Sequence, residues 1–411
     1  MSNFKEKTNL LFISGVSPTP KDSGGATRVY NSIKNLSSFF NLYLIIFKPE
    51  KYQPSPSDYL YLKKHSVHFI FFNTGPHSSK SFFTDKLPYW FSPWHNDEIQ
   101  ISISNLINKY KIKFVHIEQT QLCYLANYIP KEINKVFVAQ DLAVVTFLRR
   151  LNEIKTLKVK IVHFLRWLEI YFYEKKYLPL FNSVCAVSQT DADKLRKIYK
   201  LKNICVVENG IESINFLQKD KPSHFVKLGY LGSFNHPPNR TAFIFFINKI
   251  APLLEKEKID YRFFIAGKNE KKEIDWLIKR SPIKNEKNIY NLGFVDNVTD
   301  FFQLIDILVA PIFSGSGSRI KILESLSYGV PIISTTIGAE GINVENRIIK
   351  ITNNPNDFVL VIKETKENLV KNNYRHSLSK LKKQLEPWLW STIIKKHILL
   401  CYPCLSHSLK K

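Results

Sequence analysis

The sequence predicts an α/β protein built from two doubly wound parallel-sheet domains. Three observations carry that prediction. Short apolar runs of strand length alternate with amphipathic helical stretches. The alternation stops at a polar stretch, residues 218–224, and then starts again. The length, 411 residues, exceeds what one core organises and suits two.

The elements follow in order. Leu10-Leu-Phe-Ile13 reads as a buried first strand ending in Ser14-Gly15. Gly24-Gly25 open a helix with Val29, Ile33 and Leu36 on one face. Residues 42–47, 67–72, 114–117, 135–139 and 183–187 continue the strand series. Ser188 N-caps the next helix, and Asn209-Gly210 is a strong turn signal. Beyond the polar stretch, residues 226–231, 262–266, 289–293, 307–311 and 331–334 read as a second set of strands. The expected boundaries are 1–215 for the first domain, 216–385 for the second, and 386–411 for a C-terminal helix crossing back to the first. Two such domains facing each other would enclose a ligand cleft.

Composition excludes several classes. Apolar residues make up 44% and charged residues 23%, as in ordinary globular proteins. No run of about 18 uncharged apolar residues is present. The start, MSNFKEKTNLLFISGVS, lacks a signal peptide's apolar core and cleavage site, so a cytoplasmic location is expected. Cys123, Cys185, Cys205, Cys401 and Cys404 are odd in number and scattered, against a disulfide framework. Cys401-Tyr-Pro-Cys404 has redox or metal spacing, but without a second pair it reads as two incidental thiols.

Charge is the unusual quantity. Lys+Arg number 59 against 35 Asp+Glu, a net charge of +24 that favours anionic partners. A Lys-rich overall composition accounts for that charge equally well. Residues 151–180 combine Lys155, Lys158, Lys160, Arg166, Trp167, Tyr171, Phe172, Tyr173, Lys175 and Lys176. Such a helix suits an anionic membrane surface; the competing reading, a domain helix with core aromatics, is favoured because apolar residues surround much of it.

The segment carrying chemistry is Gly315-Ser-Gly317-Ser318-Arg319-Ile-Lys321-Ile-Leu-Glu324, followed by Gly329-Val-Pro331. A Gly/Ser loop feeding a helix offers open backbone N–H groups and the positive end of the helix dipole. Arg319 and Lys321 add formal charge, and Glu324 could accept both hydroxyls of a ribose. Taken alone, the same loop is simply a tight turn.

This segment resembles the donor-site motif of family 4 glycosyltransferases, G-S-G-x-R-x-K-x-L-E-x-x-x-x-G-x-P. The resemblance implies the GT-B architecture, two Rossmann-like domains facing a cleft. It implies Glu324 as ribose ligand and Gly317, Ser318, Arg319 and Lys321 around the diphosphate of a nucleotide-sugar donor. Ser316 stands where many members carry a first glutamate, which leaves the sugar open. Leu228-Gly-Tyr-Leu-Gly232 through Asn239, Phe264-Ile-Ala-Gly267, Asn291 to Asp296, Ser188 to Asp191, Glu208 to Ile211, and Trp388 with Trp390 extend the resemblance in the family's order. Gly232 joins the donor site, without the basic residue its loop often carries. Gly24 and Gly25 fall in the loop that approaches the donor from the other domain, where Arg28 either reaches a phosphate or is a solvated helix residue.

His116 and Asp141 follow strands, so both are acceptor-side candidates. His116 reads better as a satisfied histidine under the sheet. Asp141 joins Arg319 and Lys321 as a catalytic candidate, or caps the helix beginning near Leu142. By resemblance the reaction retains anomeric configuration. No Asp-x-Asp ends a strand of the second domain and no His/Cys/Asp cluster has ligand spacing, so no metal or other cofactor is expected. The net charge and residues 151–180 fit a peripheral enzyme taking a glycan or lipid-linked acceptor at the inner membrane face for cell-surface polysaccharide synthesis. A non-catalytic partner subunit and a nucleotide-sugar epimerase of the same fold remain alternatives. Nucleic acid is not an expected partner, since no RNA- or DNA-binding motif occurs.

Overall fold

In the first unit, strands form because the chain supplies runs such as Leu10 to Ile13, every one fully buried. Parallel sheets covered on both faces need such continuous apolar strands. The structure is a computed structural model describing residues 7–18, 23–77, 87–218, 224–234, 236–268, 271–315, 320–344, 348–371 and 375–402, with backbone only at 152, 153 and 375–377. Contacts divide it into two units: Gly25–Glu208 with the first strand and the chain from Ile393, and Asn209–Thr392 with Gly24.

The first unit runs β1 (Thr8–Ser14), α1 (Gly24–Leu36), β2 (Phe40–Pro49), α2 (Pro56–His65), β3 (His68–Thr74), α3 (Ile99–Tyr110), β4 (Phe114–Glu118), β5 (Asn134–Ala139), α4 (Ala143–Glu153), α5 (Leu157–Tyr177), β6 (Ser183–Ala186), α6 (Gln189–Tyr199) and β7 (Ile204–Val206). Its seven parallel strands are ordered β3-β2-β1-β4-β5-β6-β7, reversing between β1 and β4. Residues 151–180 are therefore not one helix: α4 ends at Glu153 and α5 begins at Leu157. The N-cap of α6 is Ser188, whose hydroxyl accepts from the Asp191 N–H at 3.0 Å.

The second unit runs β8 (Val226–Leu231), α7 (Pro237–Phe245), a π-turn (Phe246–Ile250), α8 (Ala251–Lys256), β9 (Tyr261–Ala266), α9 (Lys271–Lys279), β10 (Ile289–Gly293), α10 (Val298–Leu304), β11 (Ile307–Ala310), α11 (Ile320–Ser327), β12 (Ile332–Ser334), β13 (Ile349–Ile351), α12 (Pro355–Val370) and α13 (Arg375–Leu385). Its parallel sheet has the order β10-β9-β8-β11-β12-β13, reversing between β8 and β11. Phe246 stacks on Phe263 at 3.7 Å between centroids, pinning the helical layer to β9.

The last helix, α14 (Trp390–Cys401), starts in the second unit, and from Ile393 onward the chain belongs to the first. At its start the Ile211 N–H donates to Trp388 O at 2.9 Å, and the Trp390 N–H to Ile211 O at 3.0 Å. A Cβ on Gly210 would lie 2.8 Å from the Trp390 ring, so the Asn209-Gly210 turn needs its glycine for that packing. Among the described residues no helix is long and apolar enough to cross a membrane.

Candidate functional site

In an open parallel sheet, ligands bind where the strand order reverses, beyond the carboxyl ends of the strands. In the second unit that point lies past β8 and β11. The chain leaving β8 passes Gly232, and the chain leaving β11 enters the loop that feeds α11. The loop after β11 is held from below, because the buried Thr335 hydroxyl donates to the Ile312 carbonyl and Ser334 to Ala310 O. Gly317, Ser318 and Arg319, expected around the diphosphate, lie outside the described residues, as does Ser316.

Lys321, in the first turn of α11, reaches back to the β8 side. Its ammonium donates to Asn239 Oδ1 at 2.8 Å and to the Tyr230 hydroxyl at 3.2 Å, and lies 4.4 Å from the Tyr230 ring centroid. Tyr230 also donates to Asn239 Oδ1, and the Asn239 amide donates to Ser233 O. Gly232 completes this group: a Cβ there would sit 2.7 Å from the Asn239 side chain and 2.8 Å from Lys321 Nζ. Pro237 and Pro238 open α7, presetting the helical backbone that aims Asn239. Neither Tyr230 nor Asn239 stands among the site residues expected from the sequence. The Pro-Pro-Asn helix start after a Gly-ended strand was the available signal.

Glu324 lies three residues beyond Lys321 on the same helix. Its carboxylate is partly buried and makes no hydrogen bond or ion pair with any described residue. Burial pushes its pKa up to about 7, opposed by the Lys321 charge. An ionisable carboxylate left unpaired beside an ammonium, at a switch point, is equipped to take an external hydroxyl pair.

The first unit differs. At its own reversal point the Gly15 N–H donates to Gln119 Oε1 at 2.7 Å, and Trp94 Nε1 donates to Gly15 O at 2.8 Å. A Cβ on Gly15 would lie 2.7 Å from the Gln121 side chain, so the strand end is filled by the unit's own side chains. Gly24 and Gly25 are the first residues of α1. Asp141 is exposed, two residues past the end of β5. It is not a helix cap, since the N-cap of α4 is Leu142, which makes no side-chain cap.

Arg28 corrects the sequence reading outright. It neither reaches a phosphate nor faces solvent: it is 1% exposed and donates to the carbonyls of Val207 at 3.1 Å and Glu208 at 3.0 Å. Burial lowers its pKa, opposed by the charge of Glu118. His116 is the satisfied histidine under the sheet: Nδ1 lies 2.7 Å from the Tyr402 hydroxyl, Nε2 lies 3.1 Å from Glu118 Oε1, and the ring stacks on Phe12. Burial raises the Glu118 pKa, but the His116 hydrogen bond and the Arg28 charge outweigh it and hold the group below its usual value.

The cysteines require a second correction. Cys401 is no incidental tail thiol: it packs with Cys185, Cys205 and His397 inside the first unit. Cys404 lies outside the described residues.

Residues 226–368 match the family Glycosyl transferases group 1. A Klebsiella pneumoniae protein named "Uncharacterized 44.6 kDa protein in cps region" is 25% identical over 211 residues, 51% of this chain and 53% of that protein. The match thus spans about half the length of that relative. Three solved structures align along nearly the whole chain. Sucrose-phosphate synthase from Thermosynechococcus elongatus has TM-score 0.71 at 13% identity, covering 97% of this chain and 100% of that one. A glycosyltransferase from Rickettsia africae ESF-5 has TM-score 0.65 at 14% identity, covering 98% and 99%. Anabaena HepE in complex with UDP has TM-score 0.64 at 14% identity, covering 97% and 100%. At these identities the structural likeness speaks to fold alone. The chain thus has the GT-B fold, and residues 226–368, within its second unit, match the Glycosyl transferases group 1 family.

Proposed function

We propose that this protein is a retaining glycosyltransferase that moves a sugar from a nucleotide-sugar to a glycan or lipid-linked acceptor in cell-surface polysaccharide synthesis. The Glu324 carboxylate, unpaired among the described residues and one helical turn from Lys321 at the second unit's switch point, is the observation that carries the reading. The UDP bound by Anabaena HepE supports a uridine nucleotide, and the cps region of the Klebsiella relative supports a polysaccharide product.

In this reading Glu324 accepts the ribose hydroxyls, and Lys321, with Arg319, faces the diphosphate. The acceptor hydroxyl forms its bond to the anomeric carbon on the face the nucleotide leaves, and its proton passes to the departing phosphate oxygen. Charge builds on the leaving diphosphate, so fixed positive groups and helix N–H donors lower the barrier. Two catalytic carboxylates of the glycosidase kind are not required. Asp141 is assigned to acceptor contact. Metal independence of turnover belongs to the same reading, and activity abolished by EDTA and restored by manganese would overturn it.

Calorimetric titration of UDP, GDP, ADP, CMP and their sugars against wild type and Glu324→Ala tests the proposal. The expected result is one nucleotide bound, weakened about 10- to 100-fold in the variant, as for a lost charge-assisted hydrogen-bond pair. No binding by any nucleotide would sink the catalytic reading and leave a non-catalytic GT-B subunit.

The same reading places the enzyme on an anionic membrane. In the first turns of α5, Leu157, Val159, Ile161, Val162, Phe164 and Leu165 are all exposed, from 45% to 72%, with Lys158 and Lys160 exposed among them. Only from Glu169 onward does this helix bury side chains, Ile170 and Tyr173 among them. Apolar side chains beside lysines suit the headgroup boundary of anionic lipid.

A further inference from the structure

Four residues remote in sequence meet inside the first unit. Cys185 on β6 and Cys205 on β7 are direct register partners, so their side chains emerge on the same face of the sheet. Cys401 on α14 comes down on that face. The three sulfurs form a near-equilateral triangle, with Sγ–Sγ distances of 3.1, 3.1 and 3.2 Å. His397, one helical turn before Cys401, puts Nε2 3.7 Å from Cys185 Sγ. The imidazole is 1% exposed, and neither ring nitrogen has an oxygen or nitrogen partner among the described residues.

We propose that Cys185, Cys205, Cys401 and His397 form a structural Cys3His site for a thiophilic divalent ion, zinc above all, that fastens α14 to the β6–β7 edge of the first sheet. Three thiolates and one imidazole are a standard closed zinc set, and a buried histidine whose Nδ1 has no partner and whose Nε2 meets only a thiol is otherwise costly. A disulfide joins sulfurs in pairs and would strand the third; Cys185, Cys401 and His397 already offer ligand atoms within 4.8 Å of one another, and Cys205 Sγ lies 3.1 Å from both of those sulfurs, so the tetrahedron closes when His397 and Cys205 draw together. At Zn–S distances of about 2.3 Å the tetrahedral edge is about 3.8 Å, so the sulfurs part by roughly 0.6 Å on binding. Metal ligands must be deprotonated. The positive Arg28 guanidinium interacts with both Cys185 and Cys205. On binding, each ligating thiol gives its proton to solvent; no electron is transferred.

The full chain, purified reduced and without chelator, is analysed for metal by mass spectrometry and then titrated anaerobically with Co2+. The expected result is one zinc per chain, displaced by cobalt with the visible bands of a tetrahedral ion and a near-ultraviolet thiolate-to-cobalt band. Cys185→Ser, Cys205→Ser and Cys401→Ser each lower that thiolate band by about a third, since each removes one of three thiolate ligands. His397→Ala keeps it but weakens the metal more than about tenfold. Cys123→Ser and Cys404→Ser change neither. Wild-type protein that shows no cobalt spectrum, or whose buried thiols react freely with equimolar zinc present, overturns the proposal. So does an intramolecular disulfide in the isolated protein, or loss of the cobalt spectrum in Cys404→Ser. The wild-type cobalt titration needs no variant to fold and is independent of nucleotide binding.

Discussion

The Lys321 ammonium donates to the Asn239 side-chain oxygen at 2.8 Å, and that oxygen also accepts from the Tyr230 hydroxyl at 2.8 Å. The asparagine therefore sets where the positive charge stands. Lys321→Met should lower kcat/KM for the donor by about 10²- to 10³-fold, the usual cost of removing one fixed charge-stabilising group. Asn239→Leu should cost less, because the charge remains and only its position is lost. Steady-state kinetics with the donor identified by titration checks both.

Glu324 should make nucleotide binding depend on pH. Its carboxylate titrates at about 7, and the ionised form is the one that accepts two hydroxyls. Affinity should therefore climb as pH rises through 7, and the slope should vanish in Glu324→Gln.

The same group bears on stability with the opposite sense. Its folded pKa, about 7, lies above its ordinary 4.5, so the folded state penalises the ionised form. The penalty is absent below 4.5 and complete above 7. Glu324→Gln should thus stabilise the unliganded protein at pH 8, by up to about 3 kcal/mol, and have little effect at pH 4.5. Urea unfolding at the two pH values measures this.

Gly232→Ala should damage binding more than folding. The added methyl meets Asn239 and the end of Lys321, both of which can yield only by leaving their mutual hydrogen bond. A stability loss of about 1–2 kcal/mol is expected, with a loss of donor affinity approaching that of Lys321→Met. Titration and urea unfolding separate the two.

Arg28→Met should do the reverse. It removes a buried cation that donates to two backbone carbonyls and balances Glu118. Destabilisation of about 3–5 kcal/mol is expected, with no selective loss of nucleotide affinity in whatever protein remains folded. A residue that bound phosphate would show the opposite pattern.

Replacing Ile161, Phe164 and Leu165 together by Ser should release the protein from anionic vesicles at low salt. These side chains are exposed, so thermal stability should hardly change. Vesicle sedimentation decides it, and wild-type protein that stays in the supernatant would remove the membrane from the proposal.

Periodicity made the sheets legible, because parallel strands covered on both faces must be apolar throughout, as residues 10–13 and 307–310 are. β13 went unread: it is three residues long, partly exposed, and Lys350 interrupts its apolar run. Arg28 misled because an arginine among helix residues looks solvated until the strand end at Val207 and Glu208 closes over it. The cysteines misled for a related reason. Metal ligands are usually sought at short spacing, whereas here strand register pairs Cys185 with Cys205 across 20 residues and a helix brings Cys401 across 216. The His397 to Cys401 interval, one turn of a helix, was the only local trace. Tyr230 and Asn239 offered only the Pro-Pro-Asn helix start after a Gly-ended strand as a signal, since their task is to hold another side chain.

The bond between His116 and Tyr402 spans 286 residues. A ribosome making this chain therefore releases β1 to β7 long before the helix that completes their packing exists. Through that interval the second unit, all but a few residues of it one stretch from Asn209 to Thr392, can fold, while the first waits with His116, Cys185 and Cys205 uncovered. The unit begun first is finished last, and a chain stopped shortly before residue 393 would present an intact second unit beside an unsealed first one.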